Sequence, residues 1–267
     1  MPIDLPRLGL GTWQHSDPEQ CVESVSTALE AGYHHVDTAQ SYGNEEYVGN
    51  GIADAPVDRE DVFLATKVAT GNLSYDDVHE TTRESLDRLG VDVIDLLYIH
   101  WPTDAYEPEE TLAAFDELVD DGLIDHVGVS NFELRHLAEA RELLDAPIVA
   151  NQIEMHPLLQ QERLRADARE HDYWVIAYSP LARGAVLEDT TVLDVAEIEG
   201  LTAAQVSLAW LISRENVGAI PKATGADHIL ENFEAIDATL SSESIERIEN
   251  ITRQHRVVDF AGAPWNR

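Results

Sequence analysis

The 267-residue sequence predicts an α/β chain folded as a single (β/α)8 TIM barrel spanning residues 1–267. Three observations carry that prediction: eight short β-rich runs, amphipathic helical stretches between them, and no Ser/Gly-rich linker or shift of composition to mark a second domain. Eight βα units in about 250 residues is the usual size of such a barrel. The alternative for alternating β and α is an open doubly wound sheet. Against it, Gly9-Leu10-Gly11-Thr12-Trp13 lacks the third glycine of the dinucleotide fingerprint.

The predicted strands are Leu8 to Thr12, His35 to Asp37, Val62 to Lys67, Val93 to His100, Leu123 to Ser130, Ile148 to Ile153, Trp174 to Tyr178 and Val217 to Ile220. Among the helical stretches, Ser74 to Leu89 carries a stripe of Val78, Thr82, Leu86 and Leu89. Ser74 with Asp77 reads as a capping box there, and Gly90 as the stop. Pro108 to Val119 repeats the pattern with Leu112, Phe115, Leu118 and Val119. Cys21 falls beside Val22 and Val25 in the first helical pattern and reads as a buried structural thiol. His34 and His35 are strand neighbours that point to opposite faces, so they cannot share a ligand from one side. A short C-terminal tail, about 256–267, holds Phe260 and Trp265, which either help to shape the substrate pocket or only seal the barrel rim.

Seventeen basic against 51 acidic side chains leave a formal charge of −34, which disfavours nucleic acid as a partner. The lone cysteine cannot close an internal disulfide, and Met1-Pro2-Ile3-Asp4 does not begin as a secretory signal does. No apolar run approaches the roughly 20 residues of a membrane helix. A cytoplasmic monomer without membrane contact is therefore expected. All but two of the 17 basic residues are arginine, the exceptions being Lys67 and Lys222. In molar salt the Debye length falls to about 3 Å and repulsion among carboxylates is muted. The composition thus reads as halophilic, with an ordinary acidic enzyme as the alternative.

Residues at the carboxyl ends of barrel strands converge on one face. Here those ends carry Asp37 followed by Tyr42, then Lys67, His100, Ser130-Asn131, Asn151-Gln152, Tyr178-Ser179-Pro180 and Pro221-Lys222. A phenol, with an ordinary pKa near 10, is a weak acid unless a cation stabilises its anion. Lys67 offers that cation, Asp37 an ion pair to hold it, and His100 a hydrogen bond to a substrate carbonyl or to the phenol. Taken singly, Tyr42, Asp37 and His100 have structural readings as loop, cap and core residues. Lys67, directly after Val62-Phe63-Leu64-Ala65-Thr66, does not, because a buried ammonium requires a partner. Lys222, ahead of Thr224-x-x-Asp227, would meet an anionic phosphate together with a helix amino end, or Thr224 and Asp227 form a capping box only.

Three ordered motifs give the chain a resemblance to the aldo-keto reductases, in their compact bacterial and archaeal branch. Gly32-Tyr33-His34-His35-Val36-Asp37-Thr38-Ala39-Gln40-Ser41-Tyr42-Gly43-Asn44-Glu45 resembles the family's first signature, with His34 where arginine is usual. Ile99-His100-Trp101-Pro102 and Ile220-Pro221-Lys222 resemble two further motifs. The resemblance implies NADPH-dependent reduction of aldehydes or ketones, with NADH the alternative cofactor, and a catalytic set of Asp37, Tyr42, Lys67 and His100 with Tyr42 as general acid. It also implies that Ser130, Asn131 and Gln152 bind the nicotinamide carboxamide, that Tyr178 stacks on the ring, and that Ser179, Pro180 and Leu181 lie near the pyrophosphate. Glu231 and Asn232 would lie near the adenine, and Thr12, Trp13, Asp37, Ile220, Pro221, Lys222, Ala223, Thr224 and His228 complete the cofactor contacts. Ala223 and His228 stand where serine and arginine are common in the family, which loosens the choice of NADPH over NADH. Trp13, Tyr42, His100 and Trp101 would wall an aromatic pocket for a small carbonyl compound, opened by a short connection from Trp101 to Glu110. Two readings compete: a nucleotide-binding sensor that keeps the fold, and a metal-dependent hydrolase using Asp37, His100, Glu154 and His156. No metal site is expected.

Overall fold

Eight parallel strands pair in sequence order in the computed structural model, which describes residues 3–266. They are β1 (Leu10–Gly11), β2 (His35–Asp37), β3 (Phe63–Val68), β4 (Ile94–Ile99), β5 (Ile124–Ser130), β6 (Ile148–Glu154), β7 (Trp174–Tyr178) and β8 (Val217–Ala219). Their bounds match the predicted ones to within one residue, except in the first. Only Leu10–Gly11 pairs with β2, while Leu8 bridges to Ala219 of β8. That bridging closes the barrel: Gly9 N–H donates to the Ala219 carbonyl (2.9 Å), Ala219 N–H to Arg7 (2.8 Å) and Gly11 N–H to Pro221 (3.0 Å). A Cβ on Gly11 would stand 2.7 Å from the Ile220 carbonyl oxygen, so the close approach of the two ends needs glycine.

The helices that surround the strands are α1 (Pro18–Ala31), α2 (Glu45–Asp54), α3 (Tyr75–Leu89), α4 (Pro108–Asp120), α5 (Leu134–Leu143), α6 (Glu162–His171), α7 (Thr190–Glu199), α8 (Ala203–Ile212), α9 (Ala226–Phe233) and α10 (Ser242–Glu249). The first is terminated as its sequence dictates. Asp17 accepts the Gln20 N–H at 2.9 Å at one end, and Gly32 takes the left-handed conformation (φ 105°) at the other. Two expected caps form differently. The Ser74 hydroxyl donates to the Asp77 carboxylate (2.6 Å) instead of accepting a backbone N–H of α3. Helix α9 starts at Ala226 behind Gly225, so Thr224 and Asp227 do not make a capping box. Cys21 is buried, and desolvation pushes its thiol up to about 11, as suits an inert core residue. No single helix among the described residues is long and apolar enough to cross a membrane.

Strand parity decides which side chains enter the barrel. On β4, Leu96 and Tyr98 join the interior cluster with Ala65, Ala150 and Ile176, while Leu97 and Ile99 pack outward against the helices. On β3, Ala65 faces in and Leu64 and Val68 face out, which sends Lys67 inward two residues beyond Ala65. The same parity carries Asp37, His100, Ser130, Gln152 and Tyr178 to the inner, carboxyl-terminal end of their strands. Gly128 makes room for Tyr98, whose ring would lie 2.6 Å from a Cβ there.

Candidate active site

At the bottom of the cleft over the strand ends lies Lys67, fully buried. Its Nζ donates to Asp37 Oδ1 (2.5 Å) and to the Thr38 carbonyl (2.7 Å), which leaves the third proton of the ammonium for other use. Asp37 Oδ2 accepts from Gln152 Nε2 at 2.7 Å. Burial lowers the Lys67 pKa, and Asp37 and then Glu45 pull it back up. Glu45 is itself buried and held by the Thr66 hydroxyl (2.6 Å) and the Arg88 guanidinium (2.8 Å), so a second carboxylate backs the ammonium from behind.

Tyr42 ends a short 3-10 turn after β2, Gln40–Tyr42, that Gly43 closes with φ 66°. Its ring centroid lies 5.2 Å from Lys67 Nζ and 5.9 Å from the His100 ring, at 77° to that ring. The turn is fixed from both sides. Gln40 accepts from Ala69 N–H (3.0 Å), and Asn44 accepts from the Thr38 hydroxyl (2.8 Å) while donating to the Thr12 carbonyl (2.9 Å). Burial, then the Asp37 charge, push the Tyr42 phenol up. The resting phenol is thus held protonated, while the nearby Lys67 ammonium is bonded to Asp37. Burial and then Lys67 lower His100 to about 3, which makes its imidazole neutral near pH 7. His100 Nδ1 lies 3.3 Å from the Ser41 hydroxyl.

The cleft above these groups has a volume of about 670 Å³ and is lined from Trp101 and His100 through Tyr178 to Pro221 and Lys222. Of the residues singled out in the sequence, Trp13, Asp37, Tyr42, His100, Trp101, Ser130, Asn131, Gln152, Tyr178, Ser179, Pro180, Leu181, Ile220, Pro221 and Lys222 all line it. The amide cluster is already cross-linked. The Tyr178 hydroxyl donates to Asn131 Oδ1 (2.8 Å), Asn131 Nδ2 donates to Ser130 Oγ (2.9 Å), and Ser130 donates to the Gln152 carbonyl (2.9 Å). Thr12 lies beneath, with its hydroxyl on the Asp37 carbonyl (3.0 Å). Ala223, Thr224, His228, Glu231 and Asn232 fall outside the cleft lining, on the approach to α9 and on the helix itself. His228 is 77% exposed and sits 3.4 Å from the Glu231 carboxylate.

Sequence reading passed over Gln14, Ser41, Arg183, Leu187 and Val258, which also line the cleft. Arg183 stacks over Trp13 at 4.8 Å from a loop after β7 in which Ser179, Ala182 and Arg183 all take positive φ (48°, 48° and 51°). One signal for it was available: a basic residue between strand-end motifs in so acidic a chain. Glu154 and His156, the residues of the hydrolase alternative, bond each other at 3.1 Å. Among the described residues, no three His, Cys, Asp or Glu side chains are placed to share a metal ion.

Fold and site together define a barrel protein with a protonated phenol, a neutral imidazole and a buried ammonium at the base of an open, aromatic-walled cleft. Residues 7–253 match the model of the Aldo/keto reductase family, and the chain belongs to that family, a family of oxidoreductases. It is 41% identical over 261 residues to an aldo-keto reductase of Mycobacterium sp. (strain JLS), an alignment covering 95% of this chain and 91% of that one. To the glyoxal reductase of Bacillus subtilis (strain 168) it is 36% identical over 256 residues, covering 96% and 92%. Among solved structures, an aldo-keto reductase enzyme from a Medee basin deep-sea metagenome library superposes with a TM-score of 0.92 at 34% identity, covering 96% of this chain and 95% of that one.

Proposed function

We propose that the protein reduces small aldehydes or ketones to alcohols, with NADPH as the hydride source and Tyr42 as the proton donor. The observation that carries this reading is the buried Lys67–Asp37 pair, 5.2 Å from the Tyr42 ring at the base of the cleft. A carbonyl oxygen seated between Tyr42 and His100 would meet a phenol O–H and a neutral imidazole, two donors suited to an oxygen that gains negative charge as the carbonyl is reduced. Proton transfer leaves a phenolate beside Lys67, whose remaining N–H then has an anion to stabilise. The ammonium thus acts at the end of the transfer and not on the resting phenol.

The lining fits a nicotinamide dinucleotide by its donor set. Asn131 and Gln152 supply amides with acceptor capacity to spare, Tyr178 a ring face, and Lys222 an exposed ammonium that joins no salt bridge among the described residues. When bound, NADPH supplies the hydride. Phosphate selectivity rests on Lys222, because the carboxylate of Glu231 stands beside His228. Lys222→Ala is expected to raise KM for NADPH by about 10- to 100-fold, the worth of one charge-assisted hydrogen bond, with KM for NADH nearly unchanged. Equal loss with both cofactors would remove Lys222 from phosphate recognition.

The reaction itself is tested by following NADPH absorbance with a panel of small aldehydes. The wild type consumes NADPH with at least one of them and Tyr42→Phe does not. We also read the charge of −34 as adaptation to concentrated salt. The thermal unfolding midpoint is expected to climb as salt rises from about 0.05 M to molar, since the Debye length shortens severalfold across that range. A flat midpoint would make the acidity incidental.

A further inference from the structure

Glu154, the last residue of β6, is a buried carboxylate that the proposed chemistry does not use. Both of its oxygens are bonded. Oε1 accepts from Val257 N–H (2.7 Å) and lies 3.1 Å from His156 Nε2, and Oε2 accepts from Val258 N–H (2.8 Å). Two successive amides of the tail thus meet one carboxylate, across 103 and 104 residues of chain. An isolated buried carboxylate is costly, and this fork of donors is what offsets the cost. The neighbouring tail residues are pinned as well. His255 N–H donates to the Leu158 carbonyl (2.8 Å), and Arg253 pairs with Asp189 at the start of α7.

What Glu154 holds is a wall of the cleft. Val258, bonded through its N–H, lines it. Beyond it, Phe260 and Trp265 place their rings 5.2 and 5.8 Å from Trp101, and Arg256 lies over Trp265 at 3.9 Å. Asp259 ties the turn by accepting from Trp265 Nε1 (2.9 Å) and Asn266 (2.7 Å).

We infer that Glu154 is a positioning residue for substrate specificity: its carboxylate seats the tail amides of Val257 and Val258 and thereby sets Val258 in the cleft lining and Phe260 and Trp265 behind Trp101, on the apolar side that receives the carbonyl's substituent. The inference rests on the reductase reading for its kinetic consequence, but not for its structural one. In Glu154→Gln the amide group accepts at one position and donates at the other, so one tail amide loses its acceptor. The wall loosens while Asp37 and Lys67 keep their bonds and Tyr42 its place beside them.

The test measures steady-state kinetics with a small aliphatic and a bulky aryl aldehyde, the NADPH Kd, and trypsin cleavage after Arg256. For Glu154→Gln we expect KM for the aryl aldehyde to rise about 10-fold, kcat for the small aldehyde and the NADPH Kd to stay within about twofold, and cleavage to accelerate several-fold. Deleting residues 260–267 should reproduce the KM effect, and adding Glu154→Gln to that deletion should add little. Unchanged KM and cleavage in Glu154→Gln, full additivity with the deletion, or a loss confined to NADPH binding would each overturn the inference. Should Glu154→Gln fail to fold, the deletion decides alone, since an unaltered aryl-aldehyde KM would show that the wall has no role. Cleavage is scored without turnover, so a wild type that reduces no aldehyde defeats the reductase reading while the anchoring is still judged.

Discussion

Tyr42→Phe lowers kcat for aldehyde reduction by about 100- to 10,000-fold, the usual worth of a positioned general acid, and leaves the NADPH Kd within about twofold. The substitution removes one oxygen and keeps the ring, so the contact with His100 at 5.9 Å and the packing over Lys67 persist. No hydroxyl is lost from the amide cluster, which is closed by Tyr178 and not by Tyr42. The defect therefore falls on the chemical step, and kcat and kcat/KM drop together. The pH profile supplies an independent check. Burial raises the phenol, and burial with Lys67 lowers His100 to about 3, so neither group changes charge between about pH 5 and 9. Wild-type kcat should show no limb near pH 6.5. A limb there that vanished in His100→Gln would mean that a protonated imidazole, not the phenol, delivers the proton.

Much of this site could be read from the sequence because strand parity is local. A run such as Val62 to Thr66 followed by lysine places an ammonium at a barrel mouth whatever the rest of the chain does, and alternation then brings Asp37, His100, Ser130, Gln152 and Tyr178 to the same end. A helix end was also legible where one residue decides it, as at Gly90, which closes α3 in the left-handed conformation. The failures have a different physical origin. Ser74 and Thr224 carry capping chemistry, yet a hydroxyl has several partners within reach, and the choice is made by packing. Glu154 was read as a possible ligand because its residue type and its neighbour His156 suit a metal. Its true partners, the amides of Val257 and Val258, lie over a hundred residues away and carry no side-chain signature. Arg183 over Trp13 is likewise a contact across 170 positions, made by a loop whose positive φ values no periodicity announces.

The partnership of Lys67 and Asp37 yields the second large effect. Lys67→Met should abolish measurable turnover and also destabilise the protein by about 3–5 kcal/mol, because removing one member of a buried ion pair leaves the other buried and uncompensated. For a chain of this size that corresponds to a fall of roughly 10 °C in Tm. Asp37 would retain only the Gln152 donor at 2.7 Å, since the Lys67 bonds to its Oδ1 and to the Thr38 carbonyl go together. The two losses have separate causes and can be pulled apart. In Asp37→Asn/Lys67→Met no charge remains to be stranded, so most of the lost stability should return. Turnover should not return, because the phenolate left after proton transfer would then have no cation beside it. Calorimetry on the two variants, read beside their rates, decides the matter. A double variant as unstable as the single would show that packing, not charge, holds this floor together. A single variant that kept its kcat would show that the Tyr42 proton moves without the ammonium's help.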